Sequence, residues 1–113
     1  MSNAADVAPY LQAWLDARAP LNTAKSEFTT AQTNVQNARA ALQTAVTTGN
    51  KTAVQAQPEV QAWLDAQAVY VIKDAAVRAA QAALDLARQT FEQMALIASS
   101  GGTVPPFGTG GPP

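Results

Sequence analysis

The feature that most constrains this chain is a repeat in step with the heptad. Pro9-Tyr10-Leu11-Gln12-Ala13-Trp14-Leu15-Asp16-Ala17 returns as Pro58-Glu59-Val60-Gln61-Ala62-Trp63-Leu64-Asp65-Ala66. The offset is 49 residues (58 − 9), and it continues through Ala19/Ala68, Ala31/Ala80, Gln32/Gln81, Ala38/Ala87 and Arg39/Arg88. A run of consecutive identities that includes a tryptophan argues for internal duplication, not for chance in an alanine-rich chain. Forty-nine is a whole number of heptads, so both copies keep one helical phase.

That phase puts large residues at Trp14, Leu21, Phe28, Val35 and Leu42 in the first copy, and at Trp63, Tyr70, Val77, Leu84 and Phe91 in the second. Three positions after each runs a second line: Ala17, Ala24, Ala31, Ala38 and Ala45, then Ala66, Lys73, Ala80, Ala87 and Met94. Apolar residues at this spacing form one face of an α-helix. A bulky residue alternating with alanine lets two helix backbones approach closely, because little more than a methyl separates them. The spacing predicts helix 1 over 9–46 and helix 2 over 58–99, joined by a turn over 47–57. An N-terminal arm, 1–8, and a tail, 100–113, flank them.

The punctuation agrees with these bounds. Pro9 and Pro58 stand where a first-turn proline is tolerated, its missing N–H being unpaired in any case. Thr47-Thr48-Gly49-Asn50-Lys51-Thr52 has turn composition, and Gly49 or Asn50 can supply a left-handed cap. Pro20 is discordant: it removes a backbone bond and crowds the carbonyl four residues back, so helix 1 is expected to kink near it. The second copy has Val69 there. A short connection makes the helices antiparallel neighbours. The register then sets Leu42 against Trp63, Val35 against Tyr70, Phe28 against Val77, Leu21 against Leu84 and Trp14 against Phe91. The expected fold class is all-α, an antiparallel two-helix hairpin or alanine-rich coiled coil with an extended Gly/Pro-rich tail.

One seam is thin support for a chain of 113 residues. Helix 2 carries a second apolar flank: Val69, Ile72, Ala76, Ala79, Ala83, Leu86 and Ile97. Its polar residues collect in one stripe, Gln67, Asp74, Arg78, Gln81, Asp85, Arg88 and Glu92, with Asp74–Arg78 and Asp85–Arg88 spaced to pair. A helix apolar around most of its circumference is a buried helix, and one intramolecular neighbour cannot cover both sides. Self-association or docking on a larger protein follows, unless loop and tail fold back over the flank. In the tail, Val104-Pro105-Pro106-Phe107 reads as a short docking peptide, a stiff polyproline-like segment with one aromatic anchor and glycines on either side.

Chemistry is sparse. The chain has no Cys and no His, so disulfides, thiol catalysis, His-based triads and the usual zinc or haem ligand sets have nothing to build from. The carboxylates scatter, and Asp16 and Asp65 fall near opposite ends of the hairpin, so no acid–base pair is expected. No glycine-rich loop links a strand to a helix. A formal charge of −1, with basic residues dispersed, offers no field for nucleic acid or an anionic membrane. No apolar run is long enough to span a membrane, and residues 1–6 show neither the basic nor the apolar region of a secretory signal. Trp14 and Trp63 fall in seam phase and are expected in the core.

The expectation is therefore a non-enzymatic structural or assembly subunit without cofactor or small-molecule substrate. Its partner would be itself or a larger structural protein. Low charge with abundant Ala, Thr, Gln and Asn suits a surface that other protein covers, since a free coiled coil displays Lys and Glu. Small helical hairpins with extended arms are common among phage virion, head–tail and tail components, and a virion assembled in the host cytoplasm is the expected setting. Bacterial coiled-coil adaptors in the cytoplasm form an alternative. In size and hairpin plan the chain is also similar to the Trp-X-Gly substrates of type VII secretion, which would imply a secreted protein. Those carry Trp-X-Gly in the inter-helix turn, whereas this turn reads Thr48-Gly49-Asn50-Lys51 and both tryptophans lie inside helices.

Overall fold

The structure, a computed structural model, describes residues 4–108. Among the described residues the regular elements are all α-helices: α1 Ala4–Asp16, α2 Arg18–Thr47 and α3 Gln57–Ser99. No helix among them is long and apolar enough to cross a membrane.

α1 starts earlier than the spacing of its large residues suggests. The stretch expected as an arm is helical from Ala4, and Pro9 lies inside α1 instead of at its first turn. Alanines with Asp6 in the first turn favour this extension, since an acidic side chain complements the positive end of the helix dipole. The helix is interrupted at Ala17, whose N–H still reaches the Ala13 carbonyl at 3.0 Å. Pro20 has no N–H to offer the carbonyl four residues back, and α2 takes up the chain at Arg18.

The other helix ends are closed by specific bonds. After Thr47, Asn50 adopts a left-handed φ of 50° and the Lys51 N–H bonds the Ala45 carbonyl at 3.0 Å. Gly49 is needed for a different reason, because a Cβ there would come within 2.9 Å of the Ala45 carbonyl oxygen. Thr52 and Gln55 form a reciprocal capping box: the Gln55 N–H donates to Thr52 Oγ1 at 3.2 Å and the Thr52 N–H to Gln55 Oε1 at 3.0 Å. α3 begins two residues later, with Pro58 in its first turn. It stops in a Schellman motif. Gly101 is left-handed at φ 84°, the Gly102 N–H bonds the Ile97 carbonyl at 2.9 Å, and the Gly101 N–H bonds Ala98 at 3.3 Å.

The chain forms two compact units. In Thr23–Arg78 the buried positions are all alanines: Ala24, Ala31, Ala45 and Ala56. α2 meets α3 there through Phe28 and Tyr70, with ring centroids 5.1 Å apart, and through Lys73 Nζ, 3.2 Å from Glu27 Oε1. The second unit draws on residues 4–22 and 79–108. Its buried residues are Tyr10, Leu21 and Val104, and Trp14 packs on Phe91 at 5.7 Å. All ten large seam residues, and all ten small-line positions beside them, are buried or half-buried. In the Thr23–Arg78 unit the alanines go deepest, because the shortest side chains sit where backbones come closest, whereas in the other unit Leu21 is buried and Ala17, Ala80 and Ala87 are half-buried.

The two similar sequence segments make the same local bond. Gln12 Nε2 donates to Asp16 Oδ1 at 2.7 Å, and the equivalent Gln61 donates to Asp65 at 2.8 Å. Along the polar stripe of α3, Arg78 pairs with Asp74 at 3.1 Å. Arg88 turns to Glu92, at 3.8 Å, and not to Asp85, which instead accepts from Gln81 at 3.0 Å.

Candidate functional site

Among the described residues no group of three or more Asp, Glu, His or Cys could hold a metal ion. Glu59 is held below the ordinary carboxylate range, first by its hydrogen bond from the Lys51 ammonium and then by a backbone bond. This pair ties the loop to the first turn of α3. One turn further on, the indole N–H of Trp63 is buried with no hydrogen-bond partner, as is Oε2 of Glu59.

What α3 does present is apolar surface. Of the flank residues, Ile72 is 64% exposed and Leu86 65%, while Val69, Ala79 and Ala83 also face solvent. Ala76 and Ile97 are half-buried. Val69 and Ile72 belong to the Thr23–Arg78 unit; Ala79, Ala83 and Leu86 belong to the other. Leu64, Val71 and Leu96 are exposed as well and were not among the residues read as interface. Leu64 and Val71 interrupt the N-terminal end of the polar stripe, and their i, i+7 spacing was the signal for them.

The tail behaves differently from a free docking peptide. Val104 is only 7% exposed, buried against its own chain. The Tyr10 hydroxyl donates to the Pro105 carbonyl, and the Tyr10 and Phe107 rings stand 5.1 Å apart at 55°. Pro105, Pro106 and Phe107 keep substantial exposure, Phe107 at 49%. An open depression of about 360 Å³ adjoins Phe107, lined by Tyr10, Ala13, Ala83, Leu86, Ala87 and Thr90. Tyr10 stands one heptad before Ala17, in phase with the small-residue line, but nothing in that phase pointed to its partners Pro105 and Phe107, which come from the returning tail. Residues 109–113 of the expected tail lie outside the described residues. In comparisons with known proteins, no family model, no curated protein and no solved structure matched this chain.

Proposed function

We propose that this chain is a non-enzymatic assembly subunit, a helical hairpin derived from a 49-residue duplication and kinked near Pro20, that packs into a larger protein array through the outer flank of α3 and its C-terminal arm. The observation that carries this reading is the exposure of Ile72 and Leu86 on a helix whose opposite side is already drawn against its neighbour. An exposed branched aliphatic stripe is surface that water disfavours and protein covers. The exposed polar residues of α2 are mostly Thr, Asn and Gln, with few of the Lys and Glu that keep a free helix apart from its fellows. Arm and low-charge hairpin together suit a repeated building block, and a phage virion, head–tail or tail component is the setting of choice.

The test is light scattering on the full chain, beside the double substitution Ile72→Lys and Leu86→Lys. The expected result is a discrete multimer for the parent and a monomer of unchanged helicity for the variant. A variant that assembles like the parent would refute the flank as the interface. Flanking genes for capsid, portal or tail proteins would support the virion setting, and a neighbourhood without them would count against it.

A further inference from the structure

We infer that the surface around Tyr10 is a receptor for the C-terminal arm of a second copy of this chain, the place that the chain's own arm takes here. This rests on the assembly reading above and names the connector between subunits.

The seat is built for a proline-rich segment. Tyr10 is buried, its hydroxyl donates to the Pro105 carbonyl, and its ring contacts Phe107. Two consecutive prolines hold an extended backbone of fixed φ and offer carbonyls with no N–H of their own. A tyrosine hydroxyl is the matching donor, and a segment already stiff has little freedom left to lose on docking. Val104 supplies a buried apolar anchor on one side of the prolines and Phe107 a half-exposed one on the other.

The arm reaches this seat through a glycine hinge. Gly101 takes φ 84°, and a Cβ on Gly102 would come 2.9 Å from Ile97 Cγ2. Every contact made by 103–107 in its own chain can be made by the same groups on a neighbour, so only the hinge distinguishes the closed chain from an exchanged pair. The closed arm leaves Leu86, on the rim of the seat, 65% exposed. An arm arriving from a neighbour brings with it further protein surface to cover that residue. Exchange therefore gains what closure leaves undone.

The experiment places p-benzoylphenylalanine at Phe107 in the full chain, irradiates across a concentration series, and maps the adducts by mass spectrometry. The position is half-exposed and the replacement keeps an aromatic anchor. The expected result is a covalent dimer that grows with concentration, its cross-link falling on Tyr10 or on 83–90 of the second copy. Adducts confined to one chain at every concentration would overturn the proposal, as would a dimer cross-linked elsewhere. Gly101→Ala in the same background strains the closed turn and should raise the ratio of dimer to internal adduct by about fivefold; an unchanged ratio also counts against exchange. Light scattering of the unmodified chain separates the two readings. A multimer whose arms cross-link only internally keeps the assembly reading and removes arm exchange, whereas a monomer throughout removes both.

Discussion

Leu21→Ala is the substitution that most directly weighs the core of the unit formed by residues 4–22 and 79–108. Leu21 is 5% exposed, the most deeply buried large aliphatic side chain among the described residues. Removing it forfeits the transfer free energy of a buried leucine, about 1.5–3 kcal/mol for the whole side chain. A rigid cavity would add to this and push the loss towards about 5 kcal/mol. Here the neighbourhood can relax, because Leu21 borders an open depression shared with Leu15, Ala19 and Leu84. Water and adjacent side chains can enter the space, so the cavity contribution is small and the expected cost is about 2–3 kcal/mol. Urea unfolding followed by circular dichroism, at one fixed protein concentration, measures it. The control is Leu86→Ala: at 65% exposure it should change the stability of the single chain by no more than about 0.5 kcal/mol while weakening association. A Leu21→Ala cost under about 0.5 kcal/mol with an unchanged urea slope would refute the packing argument.

Other outcomes follow from local geometry. Gly102→Ala forces its Cβ to 2.9 Å from Ile97 Cγ2 and should cost about 1 kcal/mol, read as a lower melting temperature, with faster proteolysis of the tail. Asn50→Gly relieves a left-handed non-glycine residue and should leave thermal stability unchanged or raise it by up to about 1 kcal/mol. Tyr10→Phe removes the donor to Pro105, and a loss of about 0.5–1.5 kcal/mol is expected, with greater amide exchange around residues 101–104. The lowered pKa of Glu59 means that the unfolded chain binds its proton first as pH falls. Its contribution is therefore present above the ordinary carboxylate range and lost as pH drops through the depressed value. Denaturation midpoints at neutral and acid pH should differ more for the parent than for Glu59→Gln, and added salt should shrink the difference.

Helix type and extent were largely legible because they depend on short-range facts. The seven-residue spacing of Trp14, Leu21 and Phe28 and of Trp63, Tyr70 and Val77 specifies a face, and Pro58, Asn50 and Gly101 mark ends through backbone conformation alone. The start of α1 was less legible, because a tolerated proline six residues into a helix looks the same as one at its first turn. The Thr52–Gln55 capping box was available as a Thr-x-x-Gln signature. So were the matching Gln12–Asp16 and Gln61–Asp65 bonds, which need only i, i+4 spacing.

The proposed interaction surface divides along the same line. That α3 carries apolar residues on two sides is a property of its order of amino acids, since helical periodicity assigns each residue a direction without reference to anything else. Which carboxylate takes Arg88, that Val104 turns inward, and that Tyr10 meets Pro105 across 95 positions of chain were decided by the folded molecule. Periodicity reports angles around one helix axis. It carries no term for where a glycine hinge sends the chain next, and that direction is set by packing among groups remote in sequence.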